Sequence, residues 1–116
     1  MKTNNPLRGQ IWLVNFDPTI GAEIKKTRPA LIISNDINNR FAQTVTVIPI
    51  SDKGEKVYPF EVHLRSKVSG LSKESKLRCQ QIRTIDRSRL LKSLGTVTDE
   101  EMQEAKNALL IHLGID

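Results

Sequence analysis

Six short segments carry most of the chain's β-branched and aromatic residues, and proline, glycine or polar runs end each one before a helix can gain length. Residues 10–16, Gln-Ile-Trp-Leu-Val-Asn-Phe, are apolar at nearly every position and predict a buried strand. Asp17-Pro-Thr-Ile-Gly21 then has turn chemistry, since proline presets φ and glycine admits φ > 0. An exposed, charged loop over 23–28 leads to Pro29 and a second buried strand at 30–34. Asn35 and Asp36 can cap a short helical turn through Arg40, and residues 44–50 alternate β-branched side chains as a third strand. After a polar loop at 51–56, residues 59–64 follow period two, which predicts Phe60, Val62 and Leu64 inward. A serine-rich loop fills 65–75, with weaker strand patterns at 76–82 and 95–97.

Helical spacing dominates only at the end. Thr98-Asp-Glu-Glu101 is a capping box whose acids also suit the positive end of the helix dipole. Met102, Ala105, Leu109 and Leu113 recur at helical intervals until Gly114 stops the run. The order predicts a mostly β fold with a C-terminal α-helix, built as a small, mostly antiparallel barrel in one domain over 1–116.

Composition closes off several classes. The 116 residues are 38% hydrophobic and 27% charged, a globular balance and not a disordered one. The longest apolar runs, such as 11–14 and 108–111, fall far short of the roughly 20 residues of a membrane span, and no apolar stretch near the N-terminus predicts a secretory signal. The single cysteine, Cys79, excludes an internal disulfide and a cysteine-cluster zinc site. The expectation is a cytoplasmic, soluble protein without metal or cofactor, and the small core makes oligomerisation reasonable.

The net charge of +5 conceals an asymmetry. Residues 98–116 hold five acids against the one cation Lys106, net −4, so the other 97 residues, with 17 cations and 8 anions, carry +9. A basic body suits a polyanionic partner, although solvated lysine faces without a ligand fit the same count.

No Gly-rich phosphate loop, zinc-helix motif or nucleophile elbow is present. His63 falls on the outward phase of its strand and His112 in the last helical turn, so surface or structural roles suit both. Cys79 has the cation Arg78 beside it but no base in sequence, which predicts an inert thiol. Trp12 lies in an apolar strand and is read as core, not as a stacking platform. What remains are cations and hydroxyls at strand ends. If the second and third strands pair, Arg28 and Ser51 approach each other at the rim, a planar guanidinium beside a hydroxyl, suited to stabilising charge on a phosphodiester. The alternative is that Arg28 pairs with Glu23 or Asp52 and Ser51 caps a turn.

Taken together, these residues resemble a known family. Arg8-Gly-Gln-Ile-Trp-Leu-Val-Asn-Phe-Asp-Pro-Thr-Ile-Gly-Ala-Glu23 and Lys26-Thr-Arg-Pro-Ala-Leu-Ile-Ile-Ser34 are similar to the opening of MazF/PemK-type toxins. Val47-Ile-Pro-Ile-Ser51, Tyr58-Pro-Phe-Glu-Val62, Gln81-Ile-Arg-Thr-Ile-Asp86 and Gly95-Thr-Val97 extend the resemblance over nearly the whole chain. It implies an SH3-like barrel with a C-terminal helix, usually homodimeric. It also implies a metal-independent, sequence-specific endoribonuclease acting on single-stranded mRNA, silenced by a MazE-like antitoxin whose acidic tail covers the RNA groove.

The family's central arginine falls on Arg28, and its hydroxyl partner, usually threonine, falls on Ser51. Relatives often carry an acid at the position of Gln80, a proposed general base in one branch; Gln80 cannot ionise, which leaves Glu23 as the acidic candidate. The implied chemistry is attack by the RNA's own 2′-hydroxyl, giving a 2′,3′-cyclic phosphate and a 5′-hydroxyl. Thr19, Glu23, Lys25 and Lys26 in the first loop, with Ser75, Arg78 and Gln81 on the facing segment, are the expected substrate contacts. A solvated loop explains Lys25 and Lys26 equally well, and Arg83 and Asp86 are expected to pair structurally. Two other functions compete: a CcdB-like toxin that acts on gyrase, and a degenerate toxin that binds RNA or antitoxin without cutting. The Arg-Pro and Ile-Arg-Thr-Ile-Asp features are not those of CcdB.

Overall fold

The computed structural model describes residues 5–65, 71 and 73–115. Seven strands, β1 (Gln10–Asn15), β2 (Thr27–Ile32), β3 (Thr44–Asp52), β4 (Glu61–Leu64), β5 (Ser75–Arg78), β6 (Arg83–Asp86) and β7 (Leu90–Thr96), accompany two α-helices, α1 (Asp36–Phe41) and α2 (Asp99–Leu113). The strands form one antiparallel sheet in the order β4-β5-β3-β2-β1-β7, with β6 pairing β3 off that path. The mostly β architecture with a closing helix is as the sequence predicts. The hydrogen-bonded circuit is open, with β4 and β7 at its ends. Among the described residues, no helix is long and apolar enough to cross a membrane.

The strongly apolar segments explain why the centre of the sheet is buried on both faces. Ile11, Leu31, Ile48 and Ile50 point to one cluster, completed by Val62, Leu64, Leu77 and the helical Ala105 and Ala108. Val14, Ala30, Ile32, Val45 and Val47 point the opposite way, with Phe16, Ile85 and the half-buried Trp12. Period-two alternation sends neighbours along each strand to different clusters, so a one-residue slip would exchange the two faces. Trp12 is thus packed as core, its Nε1 donating to Gln10 Oε1 at 2.9 Å.

β3 is the hinge of the architecture. On one side it pairs with β2 through Val47, Ile48 and Pro49; on the other it pairs with β6 over Thr44–Val47 and with β5 over Ile50–Asp52. Pro49, with no N–H to donate, sits where the second partner changes, which is how a central strand tolerates a proline. The chain passes from β5 to β6 through a 3₁₀ turn at Cys79–Gln81. The sequence showed a single weak strand over 76–82, because this turn interrupts the alternation; β6 itself was not anticipated.

Other boundaries also moved. β2 begins at Thr27, so Arg28 and Pro29 belong to a strand and not to a loop. β7 begins at Leu90, well before the expected 95–97. Asn35 does cap α1, accepting from Asn38 N at 2.8 Å. Most of the polar loop expected at 65–75 lies outside the described residues. Along α2 the buried positions are Glu101, Ala105 and Ala108, while Met102 and Leu109 flank them and Leu113 is exposed. The small alanines centre the stripe one position away from the expected one, since they allow the helix to lie close on β4 and on the 3₁₀ turn.

The capping box forms in full: Glu101 N donates to Thr98 Oγ1 and Thr98 N to Glu101 Oε1, both at 3.0 Å. Gly114 takes the left-handed φ of 69° that ends the helix. Thr98→Ala is expected to destabilise the chain by about 1 kcal/mol, read as a lower urea midpoint at unchanged m.

Candidate active site

Strand register brings the predicted pair together. The β2–β3 ladder ends at Ala30↔Pro49, and continuing it by two residues sets Arg28 opposite Ser51 on one face. Ser51 in turn pairs with Lys76, and Lys76 with His63. Arg28, Ser51, Lys76 and His63 therefore form a row across four adjacent strands. The neighbouring row contains Arg78, which pairs with Glu61.

Arg28 is exposed, and its Nε donates to Lys25 O at 3.4 Å. Neither carboxylate that the sequence offers as its partner is used: Glu23 Oε1 accepts from Ile20 N at 2.7 Å, and Asp52 pairs with Lys73 at 3.8 Å. Among the described residues the terminal guanidinium nitrogens of Arg28 have no partner. Ser51 is half-buried, with one long contact of 3.4 Å from Oγ to Asp52 O. A bidentate cation and a weakly engaged hydroxyl thus share one face.

The loop over 17–26 forms one wall. Phe16 N donates to Lys26 O, and Lys26 N to Asp17 Oδ1, both at 2.9 Å, with Lys26 at a φ of 68°. This backbone bracket leaves the Lys25 and Lys26 side chains exposed beside Arg28. Thr19 is half-buried, its hydroxyl 3.5 Å from Asp17 Oδ1. Gln81 buttons the loop to the 3₁₀ turn: Ile24 N donates to its Oε1 at 3.0 Å and its Nε2 donates to Ala22 O at 3.2 Å. A cleft of about 460 Å³ lies between them, with Glu23, Gln80, Gln81 and Arg83 among its lining residues.

Two of the expected contacts are engaged elsewhere in the fold. Ser75 is buried and pairs with Leu64 and Asp52, so alternation puts it on the face opposite Ser51, and its hydroxyl donates to Lys73 O at 3.1 Å. Gln81 spends both ends of its amide on the 17–26 loop, so it shapes the cleft rather than offering a free group. Arg83 and Asp86 do not pair either. Arg83 lies over the Phe16 ring, 5.5 Å from its centroid, and Asp86 caps the next turn by accepting from Ser88 N at 2.8 Å; the Ser88 side chain and then this N–H hold its carboxyl below the usual range.

One group was missed. Glu61 is a strand residue expected to face water, yet its side chain is 1% exposed. Its Oε1 accepts from Lys76 Nζ at 2.9 Å and Tyr58 N at 3.1 Å, and its Oε2 accepts from Gln80 Nε2 at 2.8 Å and lies 2.9 Å from Arg78 Nε. Burial pushes this carboxyl up, but the bonds from Gln80, Lys76 and the Tyr58 N–H, with the Lys76 charge, outweigh it and hold it below the usual range. The available signal was Lys76, Arg78 and Gln80 at period two, three donors on one face of a single strand and turn. The same cluster settles the thiol: burial, with the Glu61 charge adding, pushes Cys79 up to about 12, and Arg78 turns to Glu61 instead of activating it.

Comparison with known proteins identifies the family and the fold. The family model described as PemK-like, MazF-like toxin of type II toxin–antitoxin system matches residues 7–113. The chain is 39% identical to Endoribonuclease MazF9 of Mycobacterium tuberculosis over 113 residues, covering 93% of this chain and 96% of the relative. A crystal structure of MazF from Deinococcus radiodurans superposes with a TM-score of 0.85 at 27% identity, covering 97% of this chain and all of the other. An endoribonuclease from a mycobacterial species in complex with its cognate antitoxin superposes at 0.76 with 26% identity, covering 96% and 97%.

Proposed function

This chain belongs to the PemK-like, MazF-like toxin family of type II toxin–antitoxin systems, and from that membership we propose that it is an endoribonuclease that cuts single-stranded mRNA at a short recognition sequence without a metal ion. The observation that carries the reading is the exposed Arg28 guanidinium, without a carboxylate partner among the described residues, on the same face as Ser51 of the neighbouring strand. Arg28 would bind the scissile phosphate through two donors, and Ser51 would donate to a non-bridging oxygen.

The reaction follows from the substrate. The 2′-oxygen attacks the adjacent phosphorus and loses its proton to water, the bond from phosphorus to the 5′-oxygen breaks, and that oxygen is protonated. The products are a 2′,3′-cyclic phosphate and a 5′-hydroxyl. Arg28 gains most as charge grows on the phosphorane and the leaving oxygen, so its contribution is specific to the transition state. Because the nucleophile is internal, positioning supplies much of the acceleration. Gln80 acts as neither acid nor base, and Glu23 already accepts the Ile20 N–H.

Lys25, Lys26 and Arg78 supply phosphate contacts, and the cleft beside Thr19 and Glu23 receives bases. A cognate MazE-like antitoxin is the proposed inhibitory partner, an acidic segment competing with RNA for the same cations. The working unit is a homodimer acting in the cytoplasm.

Purified chain incubated with a mixed-sequence RNA in excess EDTA is expected to cut as fast as in magnesium, leaving ends that polynucleotide kinase labels directly. Loss of cutting in EDTA sinks the metal-free mechanism. RNA binding without cutting supports the degenerate toxin instead, and gyrase inhibition without cutting supports the CcdB-like one.

A further inference from the structure

We propose that Glu61 is a positioning residue of the RNA groove, a buried carboxylate that gathers Lys76, Arg78 and Gln80 into one unit beside Ser51. This rests on the nuclease reading above and names the group that orders its binding face. Three donors and one ion-paired cation from two separate stretches of chain converge on two oxygens: Tyr58 N, Lys76 Nζ and Gln80 Nε2 donate within 3.1 Å, and Arg78 Nε lies 2.9 Å from Oε2 as an ion pair. A carboxylate with 1% exposure survives only when so surrounded.

The geometry links this cluster to the reacting pair. Lys76 stands directly across from Ser51, and Arg78 is two residues further along the same face. Lys76 is held twice, by Glu61 and by Lys56 O at 3.0 Å, which leaves one of its three N–H groups for a ligand. Arg78 is ion-paired to Glu61 through Nε, at 2.9 Å. Two long, rotamer-rich cations are thereby ordered before RNA arrives, which lowers the entropy lost on binding. Gln80 joins the same anchor to the cleft that it lines.

Two effects oppose each other when the acid is removed. Glu61→Gln raises the net charge from +5 to +6, so long-range attraction alone predicts tighter RNA binding. Loss of the anchor frees Lys76 and Arg78 and predicts weaker binding and slower cleavage. Positioning wins at contact distance, because small misplacements at a reacting phosphate carry large rate penalties.

The test measures full-length wild type, Glu61→Gln and Glu61→Asp for affinity to a 2′-O-methyl RNA, for kcat/KM on cleavable RNA, and for the Arg78 Nε–H resonance. Glu61→Gln is expected to weaken affinity about threefold or more, lower kcat/KM about tenfold or more and shift that resonance. Glu61→Asp keeps the charge but withdraws it by one methylene, so it should fall between the two and serves alone if Glu61→Gln does not fold. Equal or tighter binding by Glu61→Gln, or wild-type affinity in Glu61→Asp where only that variant folds, overturns the proposal. If wild type binds the 2′-O-methyl RNA but cuts nothing, the nuclease reading fails while the affinity comparison still decides the role of Glu61. If wild type does not bind it, both fall.

Discussion

Arg28→Ala is expected to lower cleavage by about 10³-fold while leaving the unfolding transition in place. The rate effect follows from what the residue lacks. It has no carboxylate partner among the described residues, and its one bond to the backbone is long, at 3.4 Å. The guanidinium is therefore available to a phosphate, where a charged bidentate donor outweighs a neutral one. Removal of an exposed side chain with a single long bond costs the fold little, so an inactive variant with a wild-type transition separates chemistry from stability. Arg28→Lys should fall between the two, since an ammonium retains charge but loses the planar pair of donors. An Arg28→Ala protein that cuts RNA at the wild-type rate would remove Arg28 from the site.

The second large effect concerns the substrate. A single 2′-deoxy nucleotide on the 5′ side of the scissile phosphate is expected to end cutting at that bond, with affinity changed only a few-fold. In the proposed reaction the 2′-hydroxyl is the nucleophile, and a well-placed internal nucleophile has an effective molarity of about 10⁵–10⁸ M, which no dilute external group replaces. Binding survives because the phosphates, which supply most of the affinity of a basic face, are unchanged. Cleavage of the deoxy-substituted bond at the ribose rate would mean that water or a protein group attacks instead. Arg28 would then remain as an electrostatic contact in a different reaction.

Removing the arginine or the hydroxyl tests the two halves of one encounter. Loss in both cases, with binding retained in the second, places the barrier at the phosphorus. The Glu61 cluster acts at one remove, since its carboxylate is covered by Lys76, Arg78 and Gln80 and offers no free oxygen to RNA.

How much of this was readable in the linear chain depended on the range of the interaction concerned. Capping is local: Thr98 and Glu101 are three residues apart, and their reciprocal bonds formed as read. Strand identity in 10–16 and 44–50 came from dense β-branched and apolar character, and Trp12 went to the core for the same reason. The pairing of Arg28 with Ser51 needed only one assumption, that the second and third strands are neighbours, because alternation and register then place both on one face.

Short or interrupted segments were harder. β6 is four residues long and follows a 3₁₀ turn, so its alternation is too brief to stand out until Thr44–Val47 supplies a partner. Ser75 looked like a rim hydroxyl, but its parity with Leu77 turns it inward once Ile50 fixes the register. Glu61 is the clearest case. A glutamate in a strand reads as a solvent-facing residue, since burial of a bare carboxylate is prohibitive. Only the arrival of β5 and the following turn, more than a dozen positions later in the chain, brings Lys76, Arg78 and Gln80 within bonding distance and reverses that balance. Helix ends and the character of the longer strands were legible from neighbours in sequence, and the shared face of Arg28 and Ser51 followed once β2 and β3 were taken as partners. Which polar groups are buried, and what they hold, was set by partners that meet through the folded sheet, because the energy of a buried charge depends on donors that no local pattern contains.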